Sequence, residues 1–187
     1  MEDLSLHILD IAENAIRAGA SLVEIYVERD TERDMLSVLI KDNGKGMDEE
    51  FLKMVHDPFV TTRTERRVGL GLPLLKQAAQ ETCGDLYIKS EPGGGTEVKA
   101  IFRIGHIDMK PLGDMEATIM ALIVGNPEVN FIYRANIDGK KVELDTRELD
   151  KMIGQENHRS SPQVLKLLRA VLVDGTQLKA IHKNREA

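Results

Sequence analysis

An α/β chain in two stretches, a larger α/β layer followed by a smaller α+β annex, is the fold class that the periodicity of this 187-residue sequence predicts. Two observations carry the prediction. Between residues 4 and 104, segments with apolar residues at helical spacing alternate with short segments of strict apolar–polar alternation. After Ile104 the composition stays level but the same periods restart, which puts a boundary near residues 105–113. Hydrophobic residues at 42% and charged residues at 30% are ordinary for a folded chain and rule out wholesale disorder.

Leu4 to Ala18 reads as a helix, with Ile8, Ala12, Ala15 and Gly19 on one face and Leu4 and Ile11 flanking it. His7, Asp10, Asn14 and Arg17 form the opposite stripe and are predicted to look in one direction. Strands follow at Leu22 to Glu28 and Leu36 to Lys41, separated by a charged turn. Beyond Asp42-Asn43-Gly44-Lys45-Gly46-Met47 come a short helix around Glu49 to Val55 and a polar segment from Asp57 to Val68. The next helix is expected to start near Gly69 and to stop at Cys83-Gly84. Two strands, Asp85 to Ser90 and Thr96 to Ile104, flank Gly93-Gly94-Gly95.

In the annex, Met115 to Val124 is a helix stopped by Gly125 and Pro127. Asp138-Gly139 between alternating runs predicts a hairpin, because both residues tolerate positive φ. Asp145 with Glu148 resembles a capping pair for the helix to Ile153, and Ser161-Pro162 is expected to cap and start the last helix. The apolar stripes of this stretch either complete the core or form a dimer or partner surface, so a homodimer stays open.

Lys and Arg number 25 against 31 Asp and Glu, a formal charge of −6, which argues against a chain that grips phosphate backbone. Trp is absent and aromatics reach only 4%, which weighs against base-stacking surfaces, so no nucleic acid partner is expected. Cys83 is the one cysteine and cannot form an internal disulfide, which fits a reducing compartment. The longest apolar runs, such as Ile119 to Val124, are far short of a spanning helix, and the acidic N-terminus lacks a signal-peptide pattern. The expectation is a cytoplasmic protein with no membrane partner.

Four segments bear on chemistry. Asp10 and Asn14, one helical turn apart, are either a solvated helix face or a carboxylate and an amide oxygen that ligate a hard divalent cation such as Mg²⁺. Asp42-Asn43-Gly44-Lys45-Gly46 is either a turn after a strand or an acid that accepts from an amine, with glycines that let a flat ring approach. Gly69-Leu70-Gly71-Leu72 opens a helix, where unpaired N–H groups and the dipole favour phosphate, and Arg63, Arg66 and Arg67 precede it. Gly93-Gly94-Gly95-Thr96 reads as a hairpin. None has the spacing of a P-loop or of a dinucleotide-binding turn.

In this order and spacing the segments resemble the GHKL nucleotide-binding superfamily of histidine kinases, anti-sigma-factor kinases, mismatch-repair ATPases, gyrase subunits and a chaperone class. DIAENAIRAGA resembles the N box, DNGKGM the first glycine box, DPFVTTR the F box with its lid, GLGLPLLKQ the second glycine box and GGGTEV the last strand-turn element. The resemblance covers about residues 4–104 and implies a Bergerat-type two-layer sandwich, helices on one face of a mixed sheet. It also implies ATP and Mg²⁺ as cofactors. Asn14 matches the Mg²⁺-ligating Asn, Asp42 the acid that recognises the adenine amine, and Thr96 its helper through water. Gly44 and Gly46 match glycines under the purine, Arg17 a basic residue that approaches phosphate, and Phe59, Thr62 and Arg63 the F box and lid segment. Gly69, Leu70, Gly71 and Leu72 match the phosphate-facing helix entry.

Asp10 falls where ATP-hydrolysing relatives carry a water-activating Glu, and its side chain reaches about 1.5 Å less far. None of His7, His56, His106, His158 and His182 lies in a phosphoacceptor box, so self-phosphorylation is not expected. The implied function is Mg²⁺-dependent ATP binding coupled to phosphoryl transfer onto a separate protein, with Asp10 as the catalytic residue. The alternative is an ATP-dependent conformational switch or weak ATPase that regulates a protein partner.

Overall fold

The computed structural model describes residues 3–55, 71–154 and 158–174. Its elements run α1 (Leu4–Arg17), β1 (Leu22–Asp30), β2 (Met35–Asp42), α2 (Glu49–Val55), α3 (Gly71–Glu81), β3 (Asp85–Glu91) and β4 (Gly95–Arg103). Then follow α4 (Met115–Gly125), β5 (Asn130–Ile137), β6 (Lys140–Asp145), α5 (Thr146–Ile153) and α6 (Pro162–Asp174). The strands form one six-stranded sheet in the order β3-β4-β2-β1-β5-β6. Every neighbouring pair is antiparallel except β1 with β5, so the sheet is mixed, as expected.

Period-two alternation divides the sheet into a covered and a bare face. Val23, Ile25 and Val27 of β1, Leu36, Val38 and Ile40 of β2, and Val98, Ala100 and Phe102 of β4 point under the helices and are buried. Phe131, Tyr133 and Ala135 of β5 and Val142 and Leu144 of β6 extend the same buried layer, and one core joins them to α1, α3 and α4. The stretch beyond Ile104 therefore completes the core. Strands β4 and β5 run in the same direction, so their link must cross the sheet. Helix α4 makes that crossing, packed between α1 and α6, which accounts for its nearly all-apolar sequence.

The ends of the elements show where local chemistry decided and where packing did. Asp3, Asp114 and Asp145 each cap a helix by accepting from the N–H of Leu6, Ala117 and Arg147 respectively. Asp138 and Gly139 both adopt positive φ, as the hairpin requires. Ser161 does not cap α6: its Oγ is buried without a hydrogen-bond partner. The stop of α3 falls where expected, but Cys83 rather than Gly84 takes the left-handed conformation, at φ 58°. Gly84 is needed for closeness, because a Cβ there would lie 1.8 Å from the Ile101 carbonyl oxygen. Cys83 itself is exposed.

Two buried polar groups were not visible in the periodicity. Arg159 is buried and joins three segments, with Nη2 2.6 Å from Asp150 Oδ2 and Nη1 donating to the Val129 carbonyl at 2.7 Å. His7, expected on the exposed stripe of α1, is only 1% exposed, and neither ring nitrogen has a partner. The linker after β4 doubles back over this end of α1: the N–H groups of Leu4 and Ser5 donate to the carbonyls of Pro111 and Leu112 at 3.0 and 2.8 Å. Burial first, then the nearby Lys110 charge, lowers the His7 pKa to about 4.

A fragment ending at Ile104 would leave β1 as an unpaired edge and strip the core of Phe131, Leu144 and α4. Such a fragment should aggregate or remain unfolded, read by gel filtration and far-UV circular dichroism; a monomeric, cooperatively melting fragment would contradict the shared core. A second expectation concerns acid. The lowered pKa of His7 means that the unfolded chain binds its proton first, so stability is full above about pH 6.5 and falls towards pH 4. The loss from this one group should approach about 3 kcal/mol, and His7→Leu should flatten urea midpoints between pH 6.5 and 5. Equal slopes in the two proteins would remove His7 from the account.

Candidate functional site

The exposed stripe of α1 builds the first half of the site. Arg17 Nη2 donates to Asn14 Oδ1 at 2.7 Å and lies 3.7 Å from Asp10 Oδ1, while its Nη1 lies 3.7 Å from Glu13 Oε2. A guanidinium cation therefore stands against the amide oxygen and carboxylate that were singled out as cation ligands. Helix α3 starts beside them: a Cβ on Gly71 would fall 1.8 Å from Asp10 Oδ2. Only a glycine lets the start of this helix come so close to the carboxylate, and the positive end of the helix dipole favours that neighbour. Leu72 is half-buried and packs on the core.

The second half lies at the end of β2. The strand register sets Asp42 opposite Thr96, and Thr96 opposite Ser90, so the three occupy one row on the helical side of the sheet. Asp42 is half-buried. Burial raises its pKa above the ordinary carboxylate value, and hydrogen bonds from the backbone of Gly44 and Thr96 oppose that rise. Gly44 N–H donates to Asp42 Oδ1 at 2.8 Å. The turn that follows is fixed from several sides. Asn43 Oδ1 accepts from the N–H groups of Ser21 and Leu22 at 2.9 Å each, and Gly93 N–H donates to the Lys45 carbonyl at 2.7 Å.

Two glycines make this crowding possible. Gly46 adopts φ 64°, and a Cβ on it would lie 1.9 Å from the Glu91 carbonyl oxygen. Gly95 adopts φ 81°, and a Cβ there would lie 1.9 Å from the Asp42 carbonyl oxygen. The halves are joined by Lys45 N–H, which donates at 3.0 Å to the carbonyl of Ala18, the residue after Arg17. The structure thus brings Asp10, Asn14, Arg17 and Gly71 together, and Asp42, Gly44, Gly46 and Thr96 together beside them. Phe59, Thr62, Arg63, Gly69 and Leu70 lie outside the described residues.

Asn43, Ser90 and Gly95 have no individual role in the sequence reading, although Asn43 and Gly95 lie within its segments. Asn43 and Gly95 carried a signal, since Asn-Gly and Gly-Gly-Gly both mark tight turns. Ser90 carried none. Cavities of about 470 and 400 Å³ lie elsewhere, at the tips of the β1–β2 and β5–β6 hairpins and on the bare sheet face. Among the described residues no group of three or more His, Cys, Asp or Glu could hold a metal, and no helix is long and apolar enough to cross a membrane. A divalent cation at Asn14 and Asp10 would draw on two oxygens, a set that suits Mg²⁺ completing its shell from water and phosphate. The Arg17 guanidinium in contact with Asn14 shows that this oxygen already accepts from a positive group.

Residues 2–106 match the family model described as histidine kinase-, DNA gyrase B- and HSP90-like ATPase. Sporulation kinase E of Bacillus subtilis is 36% identical over 89 residues, which cover 47% of this chain and 12% of the relative. The non-motile and phage-resistance protein of Caulobacter vibrioides is 34% identical over 119 residues, covering 59% of this chain and 14% of the relative. The chain spans less than a fifth of the length of the curated relatives it matches. A crystal structure of the N-terminal domain of a DNA repair protein shares the fold with a TM-score of 0.57 at 15% identity, covering 92% of this chain and 57% of that one. With the family model spanning more than half of its length and the sheet and motif residues arranged as described, this chain belongs to the histidine kinase-, DNA gyrase B- and HSP90-like ATPase family.

Proposed function

We propose that the chain binds Mg²⁺-ATP between α1, the start of α3 and the Asp42 turn, and passes the terminal phosphoryl group to a separate protein. The observation that carries this reading is the cluster of Asp10, Asn14 and Arg17, with Asp10 against the start of α3 and the Asp42 turn tied to the end of α1 by the Lys45–Ala18 hydrogen bond. The described residues then have separable tasks. Asp42 accepts from the exocyclic amine of the base, and Gly44 leaves its carboxylate uncrowded: a Cβ there would lie 3.0 Å from Asp42 Oδ1. The Asn14 amide oxygen holds the cation side, and Arg17 offers its guanidinium to phosphate oxygens. Mg²⁺, when bound, neutralises developing charge on the phosphates. Asp10 orients the acceptor hydroxyl or imidazole and takes its proton as the new phosphorus–oxygen or phosphorus–nitrogen bond forms, while the bond from the γ-phosphorus to the bridging oxygen breaks and ADP leaves.

A second reading, a nucleotide-driven switch, draws support from the same contacts. Arg17 holds Asn14, and Asp10 lies against Gly71, so a nucleotide that recruits Arg17 would rearrange both. Labelled ATP separates the two. Transfer of the γ-phosphate to a partner protein supports the kinase, free phosphate an ATPase, and tight binding without either the switch.

Asp42→Asn should weaken ATP binding by about 10- to 100-fold, because one charged acceptor becomes a mixed donor and acceptor. Calorimetry that finds the wild-type affinity would remove Asp42 from the base site, and GTP should bind poorly to the wild type for the same reason. Asn14→Ala should abolish the gain in ATP affinity that Mg²⁺ confers; a persisting gain would place the cation elsewhere. Asp10→Asn should keep ATP binding and lose turnover, whereas Asp10→Glu should raise phosphate release by lengthening the reach. Unchanged release in both would demote Asp10 to a structural group.

A further inference from the structure

Ser90 Oγ lies at the crossing of three hydrogen bonds. It accepts from the Met47 N–H at 2.8 Å, donates to the Gly95 carbonyl at 2.9 Å and lies 2.9 Å from Thr96 Oγ1. A hydroxyl has one proton and two lone pairs. The Gly95 carbonyl can only accept, so the Ser90 proton is committed to it. The remaining contact then has one possible direction: Thr96 donates its own proton to Ser90. Ser90 is saturated, with one bond given and two received, and Thr96 has no proton left for anything else.

The consequence falls on Asp42. Ser90, Thr96 and Asp42 form one row across β3, β4 and β2 on the helical side of the sheet, so Thr96 faces Asp42 from the neighbouring strand. With its proton turned toward Ser90, Thr96 offers only lone pairs on the Asp42 side, and the carboxylate offers only lone pairs as well. The geometry points to Ser90 as a positioning residue that sets the polarity of the base subsite. By taking the single proton of Thr96, it makes the edge beside Asp42 a pair of acceptors. Such an edge selects a purine that carries an amine over one that carries a carbonyl at the same position, directly or through one bridging water. Ser90 need not touch the base to do this. The inference rests on the reading that ATP binds at Asp42.

The same hydroxyl has a second attachment. Through the Met47 N–H it ties the end of the Asp42–Met47 turn to the β3–β4 hairpin, so a purely mechanical role would also follow from these contacts. The two roles differ in what they do to selectivity. Loss of a mechanical tie weakens every nucleotide alike. Loss of the proton acceptor frees the Thr96 hydroxyl to rotate and donate, which helps a carbonyl purine and not an amine purine.

ATP and inosine triphosphate, which differ at this position of the ring, are the probes, titrated calorimetrically into the full chain. Ser90→Ala should lower the preference for ATP over inosine triphosphate by about 10-fold. Ser90→Thr, which restores a hydroxyl, should keep the wild-type preference. Thr96→Val should also lower the preference, and adding Ser90→Ala to it should change nothing further, because the proton in question is already gone. An equal loss of both nucleotides in Ser90→Ala, or a wild-type preference in Thr96→Val, would overturn the assignment while leaving ATP binding at Asp42 intact. If the wild type binds neither nucleotide, the ATP reading itself fails and takes this inference with it. Should Ser90→Ala fail to fold, Ser90→Val, matched in shape to the Ser90→Thr variant but without its hydroxyl, carries the same test.

Discussion

Burial of one face of α1 against the sheet is the constraint on which the rest depends. Leu4, Ile8, Ile11, Ala12 and Ala15 are buried, and that fixes the rotation of the helix about its axis. Once the rotation is fixed, Asp10, Asn14 and Arg17 have no choice but to share the opposite side. Both ends of the helix are then put to use. The linker after β4 supplies carbonyls to its first N–H groups, and the Ala18 carbonyl just past its last turn holds the Asp42 turn through Lys45. A single amphipathic helix thereby sets the distance between the two halves of the site.

The α1 half of the site gathers around one cation. Asp10, Glu13 and the Asn14 oxygen surround Arg17, a partly exposed cluster whose ion pairs are weak individually and exchangeable for that reason. The Asp42 half is built differently. There a half-buried carboxylate is held by backbone N–H groups, and the surrounding turn is locked by glycines whose missing Cβ atoms leave room for neighbouring carbonyls. One half is therefore adaptable and the other rigid. That division suits the proposed reading, in which the phosphate end rearranges while the base end recognises a fixed shape.

The family match ends near residue 106, but the sheet does not. Strands β5 and β6 extend it beyond β1, and α4 carries the chain across the helical face between α1 and α6. The helix that presents the polar stripe is thus braced on one side by α3 and on the other by a helix from beyond the match.

Most of the elements could be read from the sequence, because they rest on local rules. Period-two runs marked the strands, helical spacing marked α1, and turn residues such as Asp138-Gly139 specified backbone conformations that few other residues adopt. Asp10, Asn14, Asp42 and their glycines were legible as candidates through motifs that resemble those of the GHKL superfamily, since order and spacing are properties of the chain. Tertiary structure alone decided the rest. The periodicity of α1 placed His7 with the polar stripe, but the returning linker buries it; no window of sequence around His7 contains residues 110–112. Cys83 takes the left-handed turn because Gly84 is needed against Ile101, seventeen residues away and on another strand. Ser90 is an ordinary strand serine until the register of three strands aligns it with Thr96 and Asp42. Local sequence sets what each residue can do, and only the pairing of distant strands sets which hydrogen bonds remain for it to make.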